Sequence, residues 1–247
     1  MSSGATRGVA CSGPADDPQS VRAVAVFRNR SHTLTLLMAG DRRQQAICPG
    51  QRLRAGYSAG MELLGPPAAG QLLISTEPGK GGYFDQTVVL VLEHNDAGTL
   101  GVVLNRPSDL GIPEQLSQWG PLLSPPSVPF LGGPVNEQTV VALAQLANPQ
   151  VSPPGWQQIF GEVGLVDLDT PVELVDGAFA HMRMYVALAG WESGQLEGEL
   201  IRGSWFRTTA RAEEVFGVPD DLWRRVLRRL GGAVSRWSTW TPLPILN

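Results

Sequence analysis

FDQTVVLVLEHNDAGTLGVVLNRP, residues 84–107, is the stretch whose reading decides the fold. Thr87 through Leu92 form a nearly unbroken apolar, largely β-branched run, and Leu100, Val102, Val103 and Leu104 form a second. Between them lies His94-Asn95-Asp96-Ala97-Gly98, the short polar break of a β-hairpin, in which Gly98 supplies the positive φ that the reversal needs. The first run is apolar on both faces, which places its strand inside a sheet.

Working outward, Gln71 to Thr76 (QLLIST) reads as a strand that leads into the hairpin. The connection Glu77-Pro78-Gly79-Lys80-Gly81-Gly82 puts a lysine among glycines, yet it lacks the GxxxxGK[ST] spacing and a strand comes after it, so it reads as a flexible link and not a phosphate loop. After the hairpin come a short helix over Pro113 to Trp119, a proline-rich loop over Pro121 to Pro126, and a strand over Val128 to Leu131. Gly132-Gly133-Pro134 marks either a sharp turn or a close backbone approach, and the turn is the favoured reading. Gln138 to Leu146 fits a strand or a helix. Val163 to Leu168 is a strand. Thr170-Pro171-Val172-Glu173 carries the signals of a helix start, with Thr170 as cap, Pro171 in the first turn and Glu173 closing a capping box, and the helix is expected to run to about His181. Met182 to Ala189 is another strand, Gly190 to Leu200 a turn feeding a short helix, and Ser204 to Thr209 a further strand. Pro219 to Leu230 is an amphipathic helix with acids at its start and arginines toward its end, stopped by Gly231-Gly232.

Composition bounds the rest. With 247 residues, 43% hydrophobic and 17% charged, the chain can bury a sizeable core. Residues 1–60 differ from the remainder of the chain: they hold 8 Arg and no Lys against 3 Asp, and both cysteines, Cys11 and Cys48. They read as a disordered leader, or as the product of a start assigned too far upstream, with translation beginning at Met61; residues 61–247 read as a single domain. The acidic balance of that body argues against a general nucleic-acid binder. It contains no thiol, and so no thiolate metal site and no disulfide. No apolar run approaches the roughly 20 residues of a membrane-spanning helix and no signal-peptide core opens the chain, so a soluble cytoplasmic protein is expected.

Several blocks occur together and in order: QLLIS at 71–75, the hairpin ending in NRP at 84–107, FLGGPV at 130–135, VGLVDLD at 163–169, AGWESGQLEGEL at 189–200 and GSW at 203–205. In this combination the chain resembles the YqgE/AlgH family from about Gly70 to Gly232. The resemblance implies an α+β fold, a bifurcated mixed sheet curled into a pseudo-barrel with helices packed outside. It implies no biochemical activity, because the family has none established; one branch is named for a regulatory link to alginate production, and nothing in this chain carries that role over. Gln86 stands where the family often has Arg, and Ala187-Leu188-Ala189 where a Gly-aromatic pair is common.

The residues able to do chemistry are few. His94 has carboxylates beside it in sequence, but Glu93 points to the opposite face of a strand and is poorly placed to orient it. Arg106, after Asn105, offers a planar fork for an anion or a salt bridge at the sheet edge. Gly194 and Gln195 open a helix with backbone N–H groups and an amide, and Trp191 could wall a ligand. Glu197 and Glu199 do not share a helical face and are no ready metal pair. Arg224, Arg225, Arg228 and Arg229 form a basic stripe that reads as a solvated face. No G-x-S-x-G elbow, catalytic triad, metal set or cofactor motif is present. The sequence therefore favours a non-catalytic module that binds an unidentified small ligand or protein partner through His94, Asn105, Arg106, Gly132, Gly133, Trp191, Gly194 and Gln195. The alternatives are an enzyme acting on a small anionic or amide substrate and a DNA-associated regulator.

Overall fold

The hairpin forms as its sequence requires. In the computed structural model, which describes residues 64–241 apart from Glu77 and Lys80, β1 (Gln71–Ser75) pairs antiparallel with β2 (Val88–Asn95), which turns into β3 (Gly98–Val103). Gly98 takes φ +141° against the Trp191 backbone, where a Cβ would collide. The expectations for residues 1–60 lie outside the described residues.

Six further strands complete a nine-stranded sheet: β4 (Phe130–Leu131), β5 (Val135–Leu146), β6 (Trp156–Phe160), β7 (Val163–Val166), β8 (Phe179–Glu192) and β9 (Trp205–Thr209). The order is β6-β7-β5-β8-β3-β2-β1-β9, and every pair is antiparallel except β4 with β8. Strand β8 is shared. Its first part pairs with β5 and its last residues, Ala189 to Glu192, pair with β3. Where those partners diverge, the β4 segment wedges in: Gly132 donates its N–H to Val186 O at 2.7 Å and accepts from Val103 N at 2.8 Å. The sheet forks at this point, and Ala187 sits at the fork with φ +63°, left-handed backbone that a side chain tolerates poorly.

Side chains that alternate along the strands sort onto two faces. Leu72, Ile74, Leu90, Val102, Leu143, Leu165 and Tyr185 join one cluster that runs across the whole sheet. Their neighbours form two separate clusters, one around Val89, Val103 and Trp191, the other around Ala142, Ala144, Met182 and Met184. One continuous cluster on one face and two on the other is the signature of a curled sheet. Phe160 of β6 comes to lie against Gly70 at the start of β1, which draws the two ends of the curl together.

The helices divide between those faces. Helix α1 (Gln195–Ile201) does lie outside, with Leu196 among the Trp191 cluster. Helices α2 (Ala212–Phe216) and α3 (Leu222–Leu230) instead put Val215, Phe216, Leu222, Trp223, Val226 and Leu227 into the continuous inner cluster. Buried Trp223 donates to Ser75 O at 2.9 Å. Arg183, 1% exposed, fixes α2 from below: it donates to Val215 O at 2.6 Å, to Phe216 O and Gly217 O at 3.1 Å and to Pro125 O at 3.2 Å, and packs over the Phe130 ring. Burial pushes the neighbouring Tyr185 phenol far up, against the pull of Arg183, so it stays neutral. Burial also holds the Glu214 carboxyl above its ordinary range although Arg229 and Arg211 favour the charged form.

Two sequence expectations change, at 170–181 and at Gly132-Gly133, and two others take definite form. The helix over 170–181 reduces to one 3₁₀ turn, Val172–Val175, with Pro171 at its N-cap and no side-chain cap; Gly177 takes φ +67° and the chain enters β8 at Phe179, where pairing with β5 outweighs the local capping signals. Gln138 to Leu146 resolves as strand, within β5. Gly132-Gly133 is a close approach and not a turn: neither residue has positive φ, and a Cβ on either would overlap the Ala187 or Leu188 backbone. The expected helix over 113–119 forms as a 3₁₀ segment, Glu114–Leu122.

Candidate functional site

Glycine-rich backbone and the hairpin end bring most of the candidate residues to the outer face of β2, β3 and the end of β8. Helix α1 starts there directly after β8, on Gly194 with φ +74°. His94 stands across the hairpin from Thr99. Its Nδ1 lies 2.7 Å from Thr99 Oγ1, and its Nε2 lies 3.4 Å from Glu197 Oε1 on α1. The carboxylate that orients His94 is therefore Glu197, while Glu93 accepts from Asn95 Nδ2 at 2.7 Å.

Hydroxyl, imidazole and carboxylate in line is the order of a nucleophile, its base and an orienting group. A nucleophile must also be reachable. Thr99 is 2% exposed, in mid-sheet between β2 and β8, so no substrate carbonyl can approach its oxygen. The string ties the hairpin to α1.

Two residues along α1, on another face of the helix, Glu199 gathers the next set. Its Oε2 accepts from Trp191 Nε1 at 2.9 Å and Trp205 Nε1 at 2.8 Å, and its Oε1 accepts from Gln195 Nε2 at 3.1 Å. Gln195 Oε1 accepts in turn from the Glu192 N–H at 3.0 Å. Phe84 stacks on Trp191 at 6.0 Å between ring centres and meets Trp205 edge-on at 5.4 Å. Trp191 is thus a buried anchor. Replacing Glu199 with Gln leaves its new amide N–H facing that of Gln195, and we expect a loss of about 1–2 kcal/mol in urea unfolding, with a change in tryptophan emission; an unchanged midpoint would remove Glu199 from this role.

Asn105 and Arg106 form a second group. Asn105 Oδ1 accepts from Val88 N at 3.0 Å and its Nδ2 donates to Gln86 O at 2.9 Å, which fixes Gln86 at φ +51° and starts β2. Arg106 lies over the Tyr83 ring, 4.8 Å from its centre, and donates to Asp85 O at 3.3 Å. The pair Tyr83-Phe84 is what joins the two groups, since Tyr83 carries Arg106 and Phe84 carries the Trp191 cluster. Burial raises the Tyr83 phenol above its usual range, with Arg106 pulling the other way. Gly132 and Gly133 are buried behind β8 and belong to the fork.

Sequence reasoning missed Thr99, Glu197, Glu199 and Trp205 as partners. Glu197 and Glu199 were legible as pointing to different faces of a helix, and those faces carry His94 and the tryptophans respectively. Among the described residues no group of His, Cys, Asp and Glu is placed to hold a metal ion, and no helix is long and apolar enough to cross a membrane.

The family model described as DUF179, AlgH-like, matches residues 72–235. A UPF0301 protein from Thermobifida fusca is 42% identical over 188 residues, covering 72% of this chain and 94% of the relative. One from Streptomyces avermitilis is 38% identical over 182 residues, with the same coverage of 72% and 94%. Among solved structures, a crystal structure of a protein from Corynebacterium diphtheriae aligns with TM-score 0.66 at 28% identity, covering 71% of this chain and 94% of that one. The solution structure of the AlgH protein from Pseudomonas aeruginosa aligns with TM-score 0.53 at 27% identity, covering 73% of this chain and 98% of that one. The curled antiparallel sheet with a few helices is thus a shared architecture, and the chain belongs to the AlgH-like family.

Proposed function

We propose that this AlgH-like protein is a non-catalytic binding module whose recognition surface is the Arg106–Tyr83 face beside α1. One observation carries the reading. The other polar side chains of the candidate site are spent on the fold: His94 on Thr99 and Glu197, Gln195 on Glu192 and Glu199, Asn105 on two backbone groups. The Arg106 guanidinium, by contrast, makes a single hydrogen bond among the described residues, to Asp85 O, out of the five N–H donors it owns. It is held over the Tyr83 ring with no carboxylate paired to it among the described residues, which suits a planar or anionic group of a ligand or partner.

A thermal-shift screen of the full chain against metabolites and nucleotides tests this. We expect a stabilising ligand whose effect disappears in Arg106→Ala and survives in His94→Ala. The enzyme reading makes the opposite demand, so a covalent adduct on Thr99 after treatment with a fluorophosphonate reagent, found by peptide mass spectrometry, would overturn the proposal.

A further inference from the structure

The four arginines of α3 are set apart by their partners. Arg229 closes on Glu214 at 2.7 Å, Arg224 donates to Ser238 O and pairs with Asp221, and Arg228 reaches its own helix backbone at Arg224 O. Arg225 differs. Its guanidinium donates to the carbonyls of Asp220 and Val218, and no carboxylate among the described residues pairs with it.

Arg225 also lines a cavity of about 550 Å³ between α2 and α3, together with Arg211, Glu213, Glu214, Val218 and Arg229. The charges in its wall are not balanced. Arg229 is matched by Glu214, and Arg211 by Glu213 at 3.4 Å, a pair exposed on both sides that an incoming anion can exchange at little cost. Arg225 is left over. A second unmatched cation stands directly behind the wall: Arg183 is bonded to the Gly217 carbonyl, Gly217 itself lines the cavity, and among the described residues Arg183 too has carbonyl partners and no carboxylate. Carbonyl dipoles accept from both guanidiniums but cannot cancel their charge, and the charge of buried Arg183, whose Nε has no partner among the described residues, is screened less than one in water.

We infer that the α2–α3 cleft binds a small-molecule oxyanion, a phosphate or a carboxylate, on Arg225 and Arg211. Val218, 64% exposed at the cavity wall, covers the apolar remainder of the molecule. The planar forks of two arginines supply paired donors to either oxyanion. This site is separate from the Arg106 surface and stands independently of the function proposed there.

The test uses the full chain with sodium phosphate and sodium acetate as probes, each titrated against sodium chloride at equal ionic strength. A saturable rise in thermal midpoint of about 3–5 °C at ten times Kd is expected for at least one of them. A response to phosphate alone assigns a phosphoryl ligand, and one to acetate a carboxylate. Affinity measured by calorimetry on the folded protein should fall at least tenfold in Arg225→Gln and in Arg211→Gln, whose exposed side chain leaves the fold intact, and be kept in Arg228→Gln, which removes the same charge elsewhere on α3. Absence of a shift beyond chloride, an unchanged affinity in both cleft variants, or an equal loss in Arg228→Gln would overturn the site.

Discussion

Arg183→Leu is expected to lower the unfolding free energy by about 3–5 kcal/mol in urea titrations. The guanidinium is a buried fork whose two terminal nitrogens reach Val215, Phe216, Gly217 and Pro125 carbonyls. Leucine fills part of the volume and accepts or donates nothing, so those carbonyls at the end of α2 are left without partners in a dry interior. Removing a buried charge returns some of that loss. Arg183→Lys should not rescue, since one ammonium cannot span carbonyls on both sides of the planar group. A loss below about 1 kcal/mol would mean that water takes over the carbonyls, and that α2 is held by its apolar face alone.

Gly133→Ala should cost as much, about 3 kcal/mol or more, by a different route. The Cβ would land on the Leu188 carbonyl carbon and oxygen and on Ala189 N, all of them backbone in β8. No rotamer relieves such an overlap. Either β8 or the β4 wedge must move, and moving the wedge strains the Gly132 bonds to Val186 and Val103 that hold the fork. Wild-type stability in this variant would show that the fork is plastic.

These two positions also mark the limit of what the sequence reveals. The hairpin was legible because its apolar runs and glycine break are local, and α3 because its periodicity and charge polarity are local too. The two glycines before Pro134 were legible as special but not as a close approach, because the backbone they face lies more than fifty residues away in β8. The capping signals at Thr170 were real and still lost, since Gly177 and the pairing of Phe179 and His181 with β5 act against them. WQQIF of β6 and the single-turn α2 carry too little pattern to be seen. At the candidate site the residue types were right, but their partners Thr99, Glu197, Glu199 and Trp205 could be assigned only once β3 was paired with β8, β9 with β1, and α1 was placed over them.

The order of synthesis meets a sheet whose first strand waits for its last. Strand β1 leaves the ribosome early, with β2 as its immediate neighbour, yet its other neighbour is β9, and Trp223 closes on Ser75 across 148 residues. Contacts of such long range form late and slowly. Until they form, the apolar inner residues of β1 and β2 have no helix over them, and the nascent chain carries an uncovered, sticky surface through most of its synthesis. Stopping translation before α3 should therefore give a product that needs chaperone protection, whereas the hairpin itself would already be in place.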